Sequence, residues 1–401
     1  MLQHDKTNVG GQLAVRNVLV LAVAQALAGG NATVIVATGA IAGSILAPNP
    51  ELSTLPISVM AAGMWLGTMP LGLLAKRYSR RFALQVGSIF GVVSGFASCG
   101  AMLSGSFMLL LIGALCGGLY AAAHQSYRFA AADTASPHFR PKAIAWVLAG
   151  GVVAAVIGPQ IIILTKNIWP SYLFAATFLA QSACAALAAI VLFFLKIPPH
   201  ASHSLIEGRP LSAIAVQSKF IVAVICGVVS YAMMNMVMTS APLAMVMCNH
   251  SVSEAALGIQ WHVIGMYAPS FITGVLITRL GTQRVIATGL ALIVASASIS
   301  LAGAALWNFW VGLAVLGVGW NLAFIGATTL VTECHNVNER NKVQAFNDFL
   351  VFGAMAIGSF SSGALLARYG WALVNTIVFP FVLIAGGALA WISFMRRAAP
   401  A

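Results

Sequence analysis

The sequence has very little charge. Only 7% of its 401 residues are Asp, Glu, Lys or Arg, whereas an ordinary soluble domain carries about 25%. Carboxylates are the scarcest group, with 8 Asp and Glu against 20 Lys and Arg. Hydrophobic residues make up 60% of the chain. This composition excludes a soluble enzyme, a nucleic-acid-binding module and a disordered chain.

Several chemical motifs are also missing. The six cysteines form no CxxC pair, so neither a disulfide framework nor a zinc site is indicated. No histidines and acids have metal-ligand spacing, and no Walker loop is present, so metal binding and direct use of ATP are not expected. No nucleophile and base lie at a consistent depth within apolar runs. We therefore expect no cofactor and no enzymatic activity.

The sequence instead contains a long series of apolar runs. About 20 consecutive apolar residues are enough for a helix to cross the hydrocarbon core of a bilayer. The runs predict an all-α polytopic membrane protein with twelve transmembrane helices, at 14–41, 56–75, 83–104, 107–132, 143–164, 170–195, 219–247, 257–278, 285–305, 308–332, 343–366 and 373–395.

The basic residues predict the orientation of these spans. All but three of the 20 lysines and arginines fall on the side of the two termini; Lys166 and Arg368 lie on the other side and Arg128 lies inside a span. Positive loops favour the cytoplasm, so both termini are predicted to be cytoplasmic. The longest polar stretch, 197–218, is predicted to be a cytoplasmic linker between six-helix bundles at 1–196 and 219–401.

The two halves of the chain resemble each other at an offset of about 200 residues. Any single identity at that offset is weak, but several occur in equivalent loops and helices. They indicate parallel repeats, an arrangement found in one large class of secondary transporters. The matching pairs are Gly117 and Gly317, Asp133 and Glu333, Arg140 and Arg340, Lys142 and Lys342, Ala145 and Ala345, and Gly158 and Gly358.

The loop after the second span carries a more specific resemblance. Its sequence GLLAKRYSRR, residues 72–81, resembles the loop motif of the major facilitator superfamily, although Lys76 and Ser79 replace the usual Asp and Gly. The resemblance covers the whole chain. It implies a monomeric transporter that works by alternating access, with its solute site between two parallel six-helix bundles.

In this family the loop acts as a cytoplasmic latch. Because Lys76 replaces the usual acid, we predict that Arg77 pairs with Asp133 and Arg279 with Glu333 to help close the inner side. The alternative is that these are ordinary interfacial charges.

A second motif, Gly158–Pro159 in the fifth span, partly resembles that of proton-antiport drug exporters. Gln160 and three isoleucines follow where the exporters have glycines. We interpret this position as a hinge or a helix-packing point.

Polar and aromatic residues inside the spans are the candidate solute ligands. Ionisable groups in a membrane are costly and usually functional, and the resemblance implies that spans one, four, seven and ten line the solute path. Each of these side chains has the alternative of a packing role. The predicted substrate-binding residues are Tyr120, His124, Gln125, Arg128, Asn235, Trp320, Asn321 and Phe324.

Two charged residues lie well inside the spans. Arg128 has three interpretations: an anchor for an anionic or carbonyl-rich solute, a gate ion pair with Asp348, or a side chain that extends to the interface without a specific role. Asp348 is the candidate for proton coupling, because separating it from Arg128 would change its affinity for a proton. The alternative for Asp348 is a structural hydrogen bond to Asn347 or to a helix end.

Three segments, HQSYRFAAAD at 124–133, IQWHVIGMYAPSFITG at 259–274 and NDFLVFGAMAIGSFSSG at 347–363, resemble a bacterial branch of the superfamily that includes riboflavin importers. The resemblance implies uptake of a vitamin such as riboflavin across the bacterial inner membrane, with Asp348 as the candidate for proton coupling. Proton-antiport export of drugs or metabolites is the alternative.

Overall fold

A computed structural model describes residues 2–135, 139–197, 208–336 and 339–398. It consists of α-helices joined by short loops, and a 3-10 turn at Pro50–Leu52 precedes the second long helix. In the first half the helices are α1 Leu2–Leu46, α2 Leu55–Arg77, α3 Arg80–Ser104, α4 Phe107–Gln125, α5 Tyr127–Thr134, α6 Arg140–Thr165 and α7 Ala175–Leu192. The remaining helices are α8 Leu211–Ala215, α9 Ser218–Met247, α10 Val252–Tyr267, α11 Ser270–Leu280, α12 Thr282–Leu301, α13 Leu306–Thr332, α14 Arg340–Thr376 and α15 Val378–Ala398.

The described helices account for twelve membrane crossings. Ten are long and apolar enough by themselves, and the bent pair α10–α11 adds an eleventh. One of the ten, Lys342–Phe394, is 53 residues long, which exceeds twice the length a single crossing needs. Gly370 divides it, since its φ of 75° and ψ of −177° interrupt the helix and this left-handed backbone favours glycine. The prediction of an all-helical membrane protein is confirmed.

Two predicted spans contain a local interruption of the helix; the first is still one candidate span, Phe107–Ala131, and the second is a bent pair of helices. The span predicted at 107–132 is interrupted at Ser126, which separates α4 from α5. The span predicted at 257–278 begins at Val252 and bends by 42° between α10 and α11. Pro269 explains this second break, because its ring nitrogen cannot donate to the preceding helical turn.

The helices form two compact units. Unit 1 comprises Met1–Ala201 and Val252–Gln260, and unit 2 comprises Ser202–Ser251 and Trp261–Ala401, so α10 is divided between them. In unit 1, α1 packs against α6 and α7, while α4 packs against α2 and α3. In unit 2, α9 packs against α13, α14 and α15, while α12 packs against α13 and α15. The predicted division at the linker 197–218 stays a prediction.

Gly158, in the Gly158–Pro159 motif, lies where α6 packs closely against α1. A Cβ atom on Gly158 would lie 2.7 Å from Cβ of Thr33 and 2.8 Å from the carbonyl oxygen of Gly30. Both neighbours belong to α1, so a larger residue would push α1 and α6 apart. This geometry supports a helix-packing role for Gly158.

Candidate functional site

The centre of unit 2 holds a cluster of four aromatic rings from three helices. Tyr231 comes from α9, Trp320 and Phe324 from α13, and Phe352 from α14. Trp320 and Phe324 are four residues apart on one helix face, and their rings stack with centroids 5.1 Å apart at 14°. We call these four residues the aromatic cluster.

Tyr231 organises the aromatic cluster. Its ring meets Trp320, Phe324 and Phe352 edge-on, with centroids 5.2, 5.0 and 5.7 Å away and interplanar angles above 80°. Edge-to-face contacts are a favoured geometry because the positive ring edge meets the negative ring face. The cluster therefore presents ordered aromatic surfaces from three helices.

Trp320 contributes an unused polar atom to this cluster. The side chain is only 8% exposed, and its Nε1 is buried with no hydrogen-bond partner among the described residues. A buried donor without a partner is costly. An acceptor on a solute bound beside the ring would satisfy it, so the cluster can both stack on a planar molecule and donate one hydrogen bond to it.

Asn321, the neighbour of Trp320, is predicted to contact solute, and in the structure its side chain is hydrogen-bonded to other helices. Its Nδ2 donates to the carbonyl oxygen of Met266 at 2.6 Å and to Oγ of Ser270 at 2.7 Å, while its Oδ1 accepts from Thr273 at 2.6 Å. The side chain is fully buried and bridges the break between α10 and α11. These bonds stabilise the break, and the role of Asn321 in solute binding stays a prediction.

Asn235 also makes a contact between helices. Its Nδ2 donates to the carbonyl oxygen of Met355 at 3.4 Å, which joins α9 to α14 one turn away from Tyr231. The side chain is 5% exposed. Its role in solute binding stays a prediction.

Unit 1 contains four of the predicted solute-binding residues. One of them, Tyr120, lies in the hydrophobic core, and the other three lie near the junction of α4 and α5. Tyr120 is 1% exposed and packs in the hydrophobic core with Leu84 and Tyr127. A Cβ on Gly91 would lie 2.4 Å from the Tyr120 ring, so this ring fills a groove in α3. The Tyr120 ring therefore has a helix-packing role, and its contact with solute stays a prediction.

His124, Gln125 and Arg128 surround the break at Ser126. The His124 ring lies edge-on between Tyr120 and Tyr127, with centroids 6.4 and 6.3 Å away, and its buried Nδ1 has no partner among the described residues. Gln125 is half-buried. These side chains stay candidate solute ligands.

Arg128 is in the first turn of α5. Its guanidinium carbon lies 4.8 Å from the centroid of the Phe129 ring, a cation–π distance. Its Nε is buried and has no hydrogen-bond partner in the described part of the chain. Arg128 therefore retains a donor that a carbonyl or anionic group can use.

Asp348 makes the local hydrogen bond that we considered as the alternative to proton coupling. Nδ2 of Asn347 donates to its Oδ1 at 3.2 Å, and the Asp348 side chain is half-buried near the start of α14. Arg128 and Asp348 belong to different units, and their pairing stays a prediction.

The predicted latch is described only in part. The side chain of Asp133 lies outside those that the structure describes, so the Arg77–Asp133 pair is untested. Glu333 forms an ion pair with Lys219 and accepts a hydrogen bond from Oγ1 of Thr282 at 3.4 Å. In this structure Lys219 neutralises Glu333, because Lys219 lies in the first turn of α9 close to the end of α13. The Arg279–Glu333 contact stays a prediction.

Sequence reasoning missed an ion pair between Arg209 and Glu339. Nε of Arg209 donates to Oε1 of Glu339 and Nη2 donates to Oε2, both at 2.8 Å. The backbone nitrogens of Arg209 and Asn336 also donate to this carboxylate, at 2.8 and 2.9 Å. These bonds join the segment before α8 to the loop between α13 and α14. The feature of the sequence that could have indicated this pair is the scarcity of acids, since Glu339 is one of only 8 Asp and Glu residues.

The Arg209 guanidinium, and then the Asn336 amide, hold the pKa of the Glu339 carboxyl well below its usual range. The same ion pair raises the pKa of Arg209. Elsewhere, no group of three or more His, Cys, Asp or Glu is arranged to hold a metal ion among the residues that the structure describes.

The fold and these helices define a polytopic membrane transporter. The family model described as Major Facilitator Superfamily matches residues 21–259 and 223–401, and the chain therefore belongs to the major facilitator superfamily. It is a membrane-spanning transporter of a small solute and not an enzyme. The predicted family is confirmed.

The comparisons then identify particular relatives. The riboflavin transporter RfnT of Brucella anthropi is 45% identical over 92% of this chain and 94% of its own length. This relative confirms the predicted resemblance to a branch that includes riboflavin importers. The uncharacterised MFS-type transporter YdeG of Bacillus subtilis is 28% identical over 76% of this chain and 75% of its own.

Two solved structures share the fold. A bacterial homologue of the human lysosomal transporter Spinster has a TM-score of 0.71 and 15% identity, covering 94% of this chain and 96% of that one. A D-xylose–proton symporter also has a TM-score of 0.71, with 17% identity, and covers 93% and 97% of the two chains. At these identities they support the fold alone.

Proposed function

We propose that this chain takes up riboflavin, or a flavin of closely similar shape, across the bacterial cytoplasmic membrane. The observation that carries the proposal is the 45% identity to a riboflavin transporter over nearly the full length of both chains. The export of drugs or metabolites is the competing function, and Gly158–Pro159 gives it no support, since Gly158 serves helix packing against α1.

The aromatic cluster suits the chemistry of such a solute. A flavin is a flat, three-ring molecule with carbonyl and ring-nitrogen acceptors on one edge. The faces of Trp320 and Phe324 offer stacking surface, and the unpartnered Nε1 of Trp320 offers one donor. In unit 1, Arg128 offers a second unused donor. Directional donors beside an apolar ring surface are a common design of small-molecule sites.

The proposed mechanism is alternating access by a monomer with both termini in the cytoplasm. The two parallel repeats would rock about a solute site near the midplane of the membrane. Protonation and deprotonation of Asp348 would link solute movement to the proton gradient. His124, Gln125 and Asn235 are proposed as further solute contacts, and Arg77 with Asp133 and Arg279 with Glu333 as the cytoplasmic latch.

The test is riboflavin uptake by a bacterial auxotroph that lacks its own importer and expresses this chain. Saturable uptake is expected, with at least a tenfold loss of kcat/KM in Trp320→Ala or Arg128→Ala. Trp307→Ala is the matched control, because Trp307 lies on the same helix α13 but is 60% exposed. An absence of uptake despite verified membrane expression would overturn riboflavin import, and efflux assays would then test the exporter alternative.

A further inference from the structure

An open pocket lies at the end of α7 in unit 1. It has a volume of about 410 Å³ and is lined by Leu13, Ser79, Arg81, Leu195, Lys196 and Ile197. We call it the basic pocket, because two of its six residues are cationic and none is acidic. Its size is within the roughly 300–1,000 Å³ range of small-molecule sites.

The two cations of the basic pocket have no described carboxylate as a partner. The guanidinium of Arg81 lies 5.7 Å from the centroid of the Phe193 ring, and no ion pair joins Arg81 or Lys196 to any acid in the described part of the chain. Residues 1–201 contain eleven Lys and Arg but only three acids. A counter-charge for this end of unit 1 must therefore come largely from outside the chain.

The position of Lys196 is fixed by the fold. Nδ2 of Asn17 donates to the carbonyl oxygen of Lys196 at 2.7 Å, and the backbone nitrogen of Lys196 donates to Oδ1 of Asn17 at 3.1 Å. Arg16 also donates to the carbonyl oxygen of Phe194 at 3.3 Å. This paired bonding to α1 holds the backbone after α7, so Lys196 is kept in the wall of the basic pocket that Arg81 also lines.

Exposed aromatic side chains adjoin the basic pocket. Phe193 is 59% exposed, Phe194 57% and Phe82 42%. In a membrane protein such rings near a helix end face lipid or its interface. The pocket thus places cations beside an apolar, lipid-accessible surface, which is the arrangement that an amphiphilic anion requires.

The second repeat has a neutral residue at the position equivalent to Arg81. Arg81 is the second residue of α3, and Gln283 is the second residue of α12. Where Arg81 meets Phe193, Oε1 of Gln283 accepts a hydrogen bond from Ser393 at 3.0 Å. At this one position unit 2 therefore carries a neutral amide that is bonded to Ser393, whereas unit 1 carries a cation that lines an open pocket.

We infer that the basic pocket binds the phosphate-bearing headgroup of an anionic phospholipid through Arg81 and Lys196, with the acyl chains along Phe193 and Phe82. Basic pockets at helix ends on the cytoplasmic side of membrane proteins recognise such headgroups, and our proposed topology places the pocket on that side. The inference does not depend on riboflavin being the solute.

The test measures lipid retention by the purified full-length chain with native mass spectrometry. Phosphatidylglycerol and phosphatidylcholine with identical acyl chains are offered in equal amounts. We expect at least a tenfold preference for phosphatidylglycerol, lost in the double variant Arg81→Gln/Lys196→Gln. The control variant Arg279→Gln/Arg284→Gln removes the same charge from the corresponding end of unit 2 and should keep the preference.

Glycerol 3-phosphate separates a lipid site from a free phosphate site. We expect it to displace phosphatidylglycerol only at concentrations at least a hundredfold higher, because it lacks acyl chains. Displacement at equal concentration would overturn the lipid assignment in favour of a soluble phosphate.

Equal loss of the preference for phosphatidylglycerol in both double variants would also overturn the lipid assignment, since the effect would then follow net charge. Size-exclusion profiles identify variants that fail to fold, and the single variant Lys196→Gln then replaces the double variant.

Discussion

Trp320 can act on a solute in two separable ways. Its ring stacks on Phe324, and its Nε1 is a buried donor without a described partner. Phenylalanine at this position would preserve the stacking surface and remove the donor. Comparing Trp320→Phe with Trp320→Ala therefore divides the contribution of this residue into an aromatic part and a hydrogen-bonding part.

We expect Trp320→Phe to raise the KM for riboflavin about fivefold to tenfold, since one hydrogen bond contributes about 1 kcal/mol. Trp320→Ala should lower kcat/KM by more than Trp320→Phe, because the ring surface is lost as well. Uptake kinetics at matched expression measure both effects. Equal kinetics in Trp320→Phe and the unaltered chain would show that Nε1 does not contact the solute.

At the scale of single helices, apolar runs predict where a helix exists but not where it breaks or what each face contacts. The runs located the crossings, but the apolar pattern continues through both the bend, which follows from Pro269, and the interruption at Ser126. Tyr120 and Asn321 lie on the same helix faces as other candidate solute ligands. The helical period of 3.6 residues places them correctly on those faces. Whether such a face meets solute or a neighbouring helix is decided by Gly91 and by Met266, which lie far away in the sequence.

The break between α10 and α11 gives a prediction for Asn321. Asn321→Ala should lower the free energy of unfolding by about 2–3 kcal/mol, because the Met266 carbonyl and two hydroxyl groups lose buried partners. Thermal unfolding of the purified protein in detergent measures this loss. Asn308→Ala is a control on the same helix, since Asn308 makes a single hydrogen bond to Ile299 at 3.0 Å and should cost less. If Asn321→Ala reduced riboflavin affinity without lowering stability, the result would support the predicted role of Asn321 as a solute ligand.

The segment before α8 is held by Glu339, and this contact has a defined pH dependence. The pKa of Glu339 in the folded protein lies below its unfolded value of about 4.3. Its stabilisation is therefore complete above the unfolded pKa and is lost as pH falls through the folded pKa. Glu339→Gln should lower the Tm at pH 7 and flatten the loss of stability below pH of about 4.

Glu333→Gln is the matched comparison for Glu339→Gln. Glu333 is 38% exposed in its ion pair with Lys219, and exposed ion pairs contribute about 0–1 kcal/mol. Differential scanning fluorimetry from pH 3 to 7 compares the two variants. We expect the larger Tm decrease in Glu339→Gln, together with faster proteolysis between 197 and 211. An equal or larger effect of Glu333→Gln would contradict the anchoring role of Glu339.

For the whole molecule, the proposed coupling of solute movement to the proton gradient can be tested at Asp348. Asp348 lies inside the span formed by α14 and is hydrogen-bonded to Asn347. A purely structural role and a proton-coupling role of this side chain predict different transport results. A coupling carboxylate is needed for accumulation against a gradient, but not for exchange of solute between the two sides. Asp348→Asn keeps the size and an acceptor oxygen while removing the ionisable group.

We therefore expect Asp348→Asn to abolish uncoupler-sensitive accumulation of riboflavin while retaining exchange of labelled for unlabelled riboflavin. Proteoliposomes with and without an imposed pH gradient provide both measurements on one preparation. Asn347→Ala controls for the hydrogen bond, because it removes the local partner and leaves the carboxylate, and it should retain accumulation. Loss of both accumulation and exchange in Asp348→Asn would indicate a structural role. Full gradient-driven accumulation in that variant would move proton coupling to another group, and His124 in the α4 helix would be the next to test.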